Sequence, residues 1–188
     1  MKKTLVIMVL LIMTAGGIFA QGVNSHEAPA AKNGISGQIS PLSLGNQMAE
    51  GRMTAQTLTL LGIGIQYERR LTPKFSAGGA AYFSSAFHVY SEAGVKGIGR
   101  FYPKQDVFFV EMGLGFGLQT GVWLPVLTGL LLEPGIGWKI DAGAPGGFFI
   151  EPFVSLPVVL GAYRYRDGSA HFAAGVSVKS SFGIGYAF

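Results

Sequence analysis

Apolar and small or polar residues alternate along much of this chain. From His171 to Phe188 one parity reads Phe172, Ala174, Val176, Val178, Ser180, Phe182, Ile184, Tyr186, Phe188. The other reads His171, Ala173, Gly175, Ser177, Lys179, Ser181, Gly183, Gly185, Ala187. A period of two puts successive side chains on opposite faces of a strand, here one apolar face and one small, polar face. The parity recurs where Phe108, Val110, Met112, Leu114, Phe116 and Leu118 oppose Phe109, Glu111, Gly113, Gly115, Gly117 and Gln119. It recurs again where Leu61, Ile63, Ile65 and Tyr67 oppose Gly62, Gly64, Gln66 and Glu68, and where Ile150, Val154 and Leu156 oppose Glu151, Phe153 and Ser155.

A helical reading competes only from Met112 to Leu132, a charge-free run long enough to span a bilayer. Five glycines and Pro125 interrupt it, each glycine costing a helix interior roughly 1 kcal/mol and the proline about 3. A helix would also scatter Glu111 and Gln119 over unrelated faces, whereas a strand sets them side by side. Strands of roughly 9–11 residues suffice to cross a membrane. In lipid their edges must close on one another. The expected fold is therefore all-β, an antiparallel up-and-down transmembrane β-barrel. Its eight strands fall near 34–44, 56–70, 74–90, 94–103, 107–119, 129–141, 148–163 and 171–188. Pro41 interrupts the first and requires an edge or a bulge there. The fourth has ambiguous parity, since Lys96 and Arg100 share a face with Ile98 while glycines line the other.

Composition supports the membrane. Apolar residues make up 49% of the chain, broken by 29 glycines, and only 13% are charged. Met1-Lys2-Lys3, an apolar run from Leu5 to Met13 and the small residues up to Ala20 read as a signal peptide over 1–20. Residues 21–33 then form a flexible periplasmic lead, and 34–188 the barrel. The absence of cysteine excludes disulfides, thiolate metal sites and a lipoprotein anchor. Of 14 Lys and Arg, two lie in the leader, against 10 Asp and Glu. That balance and the lack of a basic cluster longer than Arg69-Arg70 argue against nucleic acid. With both termini periplasmic, the inner turns are 71–74, 103–106 and 142–147, flanked by an aromatic girdle of Tyr67, Phe75, Phe101, Phe108, Trp138, Phe148 and Phe188. The outer loops are 45–55, 91–93, 120–128 and 164–170.

The non-lipid parity gathers Glu68, Glu111, Glu133 and Glu151 with Lys139, Lys179, Lys96 and Arg100. Buried charges must be paired, because breaking one such pair costs about 3–5 kcal/mol. A salt-bridged plug is one reading of this set and a conducting polar lumen the other. Glycines at Gly-x-Gly spacing share that parity outside the fourth strand. None continues into a dinucleotide fingerprint, and a narrow barrel leaves little room inside for side chains. His26, His88 and His171 have no metal-site spacing, so neither a metal nor another cofactor is expected. In the uncharged loop, Trp123, Leu124 and Pro125 read as a segment dipping into the outer interface or as the apolar mouth of a path for hydrophobic solutes.

Gly97-Ile98-Gly99-Arg100-Phe101-Tyr102-Pro103, a short turn, Phe109-Val110-Glu111-Met112-Gly113-Leu114-Gly115-Phe116-Gly117 and the closing Phe182-Gly183-Ile184-Gly185-Tyr186-Ala187-Phe188 resemble the small eight-stranded outer-membrane barrels, the OmpA/OmpX-like β-barrel domain family. The resemblance covers roughly residues 34–188. It implies a Gram-negative outer-membrane protein with a structural or surface-interaction role, monomeric and surrounded by outer-membrane lipid. It further implies insertion by periplasmic chaperones and the barrel assembly machinery, with Phe182, Ile184, Tyr186 and Phe188 as the terminal insertion signal. A small channel for ions or hydrophobic solutes, as in OmpW-like barrels, is the alternative. Lipid A deacylases of the PagL type are similar in size but use a His-x-Ser pair. Here His171 precedes Phe172-Ala173 and His88 precedes Val89-Tyr90, so no enzyme is expected.

Overall fold

A computed structural model describes residues 33–49, 52–59, 61–86, 90–104, 107–121, 124–142, 147–164 and 169–188. The signal peptide and nearly all of the lead expected from the sequence lie outside them. Eleven strands form one antiparallel sheet: β1 (Asn33–Ala49), β2 (Arg52–Thr59), β3 (Leu61–Thr72), β4 (Phe75–Ala86), β5 (Tyr90–Lys104), β6 (Phe108–Gly121), β7 (Leu124–Trp138), β8 (Ile140–Asp141), β9 (Phe148–Ser155), β10 (Val158–Arg164) and β11 (Ala170–Ala187). β2 with β3, β7 with β8, and β9 with β10 each run on as one stave, so the ring has eight. Every stave pairs with its sequence neighbour, and β1 closes on β11 from Gly34↔Ala187 to Ala49↔Ala173. Among the described residues no helix is long and apolar enough to cross a membrane.

Proline positions show how the sequence tolerates breaks in the ladder. The β1–β11 register shifts between Ile39 and Leu42, so Pro41, which has no N–H to donate, falls in a bulge. Pro157 separates β9 from β10, yet its carbonyl accepts from the Ser177 amide at 2.9 Å. Pro73 begins the β3–β4 turn, where the Thr72 hydroxyl oxygen accepts from the amides of Lys74 and Phe75.

Side-chain direction follows the alternation. Ile63, Ile65, Met112, Leu114, Phe116, Phe182 and Ile184 face outward and are exposed, while the intervening residues are mostly buried. At the end where the termini meet, aromatics pair across strands: Phe75 with Phe101 at 4.9 Å, Phe108 with Trp138 at 5.5 Å, and Phe148 with Tyr186 at 5.3 Å. Asn33 and Phe188 exchange backbone hydrogen bonds at 2.9 and 3.0 Å, and these finish the seam.

Three of the expected outer loops require correction. β1 extends to Ala49 and β2 starts at Arg52, while residues 91–93 lie inside β5. The expected loop 164–170 agrees to a residue at each end, since β10 runs to Arg164 and β11 begins at Ala170. Of 120–128, only residues 122–123 fall between strands, because Gly121 pairs with Leu124. Leu124 and Pro125 are thus residues of β7, and Trp123 lies outside the described residues. From Val126 to Leu131 apolar side chains stand on both faces of β7, outward at Val126 and Leu130 and inward at Leu127 and Leu131. Staves of 17 or 18 residues exceed the span of a bilayer, so the ladder continues past it on the side away from the termini.

Candidate functional site: the ion-paired lumen

Strand register explains how long charged side chains fit inside so narrow a ring. Glu68 faces Gly78 across the ladder, Lys96 faces Gly115, Glu133 faces Gly113 and Glu151 faces Gly183. Each charged residue thus lies beside a position with no side chain. A Cβ on Gly113 would come within 2.7 Å of Lys96 Cδ. Arg100 differs, since its cross-strand partner is Glu111 itself. Opposite charges placed directly across a ladder attract. On the far side of Glu111 stands Gly135, where a Cβ would collide with the Phe153 ring.

Arg100 is the hub. Its Nε donates to Glu111 Oε2 at 2.7 Å, and its Nη1 donates to Glu68 Oε2 at 2.9 Å and to Glu151 Oε1 at 2.7 Å. The guanidinium also stacks over the Phe109 ring at 4.0 Å. Lys96 extends the cluster outward, its Nζ lying 2.9 Å from Glu111 Oε1 and 3.0 Å from Glu133 Oε2. Ser155 donates to the other Glu133 oxygen at 2.7 Å. All of these groups are buried. In that setting each hydrogen-bonded ion pair is strong, and any one left single would be costly.

The remaining predicted residues sit at the margins. Lys139 Nζ is 3.8 Å from Glu68 Oε2 and lies over the Phe149 ring near the terminal end. Lys179 lies with its ammonium 3.7 Å from the centroid of Tyr82. The carboxylates of Glu133, Glu92 and Glu111 also act on it electrostatically. It projects from β11 further along the barrel, where an aromatic face receives it. The fourth strand resolves with Lys96, Ile98, Arg100 and Tyr102 inward and with Val95, Gly97, Gly99 and Phe101 outward.

Sequence reasoning missed Tyr102, whose hydroxyl donates to Glu68 Oε1 at 2.6 Å and whose ring carries the Arg70 guanidinium at 4.0 Å. Its parity with Arg100 was the available signal. It also missed Glu92, placed in a loop but buried in β5, and an apolar cluster of Tyr82, Leu127, Leu131, Val159 and Ala173. That cluster lies in the lumen beyond the ion pairs, away from the termini. The lumen away from the termini therefore mixes apolar side chains with buried Glu92 and Gln119, whereas the Arg100 ion pairs and the Tyr102, Phe109 and Phe153 rings lie nearer the termini. Its carboxylates are turned onto cations, an arrangement suited to holding the wall together. Among the described residues no group of three metal-ligating side chains converges.

Phe182, Ile184, Tyr186 and Phe188 do not contribute to the lumen. All four are exposed on the outer face of β11.

No protein-family model and no curated protein matches the sequence. Solved structures do match. Neisserial surface protein A aligns over 83% of this chain and 97% of its own, at 8% identity and a TM-score of 0.55. The Yersinia pestis attachment invasion locus protein Ail, solved in complex with the heparin analogue sucrose octasulfate, aligns over 82% and 99%, at 11% identity and a TM-score of 0.50. The chain has the fold of the small eight-stranded outer-membrane β-barrels.

Proposed function

We propose that this chain is an integral outer-membrane barrel with a structural or surface-interaction role, its lumen sealed by paired charges and aliphatic packing. The observation that carries the reading is the inversion of polarity, with an apolar exterior around an interior where Arg100 binds three carboxylates. Lipid solvates such an exterior, and the ion pairs set the buried carboxylates against cations. Staves longer than a bilayer support the surface role, because they lift paired β-sheet beyond the headgroups. Periplasmic chaperones and the barrel assembly machinery would insert the chain as a monomer, with both termini periplasmic.

Planar-bilayer recording separates this reading from the alternative of a small channel for ions or hydrophobic solutes. The sealed barrel gives no single-channel steps. Steady unitary steps from protein that migrates as a folded barrel before boiling would overturn it.

A further inference from the structure

We propose that the outer wall carries a seat for an anionic phospholipid of the periplasmic leaflet, with an acyl chain in a groove beside Gly99 and the phosphate against Arg69 and Lys74. The proposal rests on the reading above that the chain spans an outer membrane with periplasmic termini. The groove is shallow and open, offers about 690 Å³ of largely apolar space, and is lined by Phe75, Phe101, Met112, Pro134 and Val154 around Gly99. Gly99 leaves it open, since a Cβ there would meet nothing within 4 Å. The tilted ring pair of Phe75 and Phe101 forms its sill at the girdle end.

Charge selects the occupant. One cross-strand row runs Arg69, Ala77, Gly99, Met112, Pro134. Arg69 shares the outward parity of Tyr67 and Leu71 and is exposed, two strands and so about 10 Å from Gly99. Lys74 is exposed in the turn immediately before Phe75. Neighbouring charges do not oppose these two. Glu68 and Arg100 point inward to each other, and Arg70 is held by the Pro73 carbonyl and the Tyr102 ring. Two outward cations beside an apolar groove, Lys74 next to its Phe75 wall and Arg69 in the row of Gly99, match a phosphodiester joined to an acyl chain, and cations at an interface favour anionic lipid. A long basic side chain can lie along the apolar wall and still reach the headgroup.

Trp138, two residues beyond groove-lining Ile136, provides the readout. The full chain carrying Trp123→Phe would be refolded into phosphatidylcholine vesicles containing equal mole fractions of brominated phosphatidylglycerol or brominated phosphatidylcholine. Quenching of Trp138 should report about fivefold tighter association of the phosphatidylglycerol. Arg69→Gln with Lys74→Gln should abolish that preference, and Gly99→Leu should lower quenching by both lipids without changing the folded gel band. Equal quenching by the two lipids in an inserted, heat-modifiable barrel overturns the seat and leaves the membrane reading standing. A preference that survives Arg69→Gln with Lys74→Gln overturns it as well. A chain that does not insert overturns both.

Discussion

Replacing Arg100 with methionine removes a cation shared by three buried carboxylates. The wild-type guanidinium holds Glu68, Glu111 and Glu151 at 2.7–2.9 Å, and its own side chain is fully buried. Lys96 still binds Glu111 after the change, but Glu151 loses its 2.7 Å partner. Uncompensated buried charge costs about 3–5 kcal/mol. With a urea dependence of about 2 kcal/mol per molar, the unfolding midpoint in vesicles should fall by roughly 2 M. Lys139→Met is the internal control. Its ammonium is 3.8 Å from Glu68, beyond hydrogen-bond reach, and Glu68 keeps Arg100 and Tyr102, so the loss should stay well below that of Arg100→Met. The assay follows the folded band on unboiled gels across the titration. An Arg100→Met midpoint within about 0.5 M of wild type, or a larger loss for Lys139→Met, would refute the claim that the Arg100 cluster holds the wall together.

Two further changes test the packing and the seam. Gly117→Ala places a Cβ 2.8 Å from Val159 Cγ2 and should cost about 1–3 kcal/mol in the same titration, while Gly99→Ala, facing open space, should stay within about 0.5 kcal/mol. Equal costs at the two sites would contradict the inward and outward assignment. Deleting Phe188 removes the last hydrogen-bonded pair with Asn33 and an exposed ring of the proposed terminal signal. Assembly in cells should slow, whereas the urea midpoint of inserted barrel should change by less than about 1 kcal/mol. Normal insertion kinetics would remove the signal role.

Most of the ring was legible because period two is written directly in the residues. In β6 and β11 apolar side chains alternate with glycine, serine and charge over their whole length. Pro41 also announced its bulge. The fourth stave was ambiguous for a physical reason. Its outward positions include Gly97 and Gly99, its inward ones Ile98, so hydropathy alone points the wrong way there. Three of the outer loops were misjudged because strand pairing outlasts the membrane, and 124–128 continue β7. The charged residues were visible as a parity set, but not their pairing. Arg100 and Glu111 meet by register, Glu151 by closure of the ring, and Lys179 finds an aromatic ring whose place depends on β4.

The inverted barrel meets its most direct test at the isoleucine methyls. In lipid nanodiscs, NMR contacts to acyl-chain protons should appear for Ile63, Ile65 and Ile184 on the outer face. Ile98, only 4% exposed between Lys96 and Arg100, should show none and should instead contact neighbouring lumen side chains. Acyl-chain contacts at Ile98, or their absence at Ile63 and Ile65, would contradict the account.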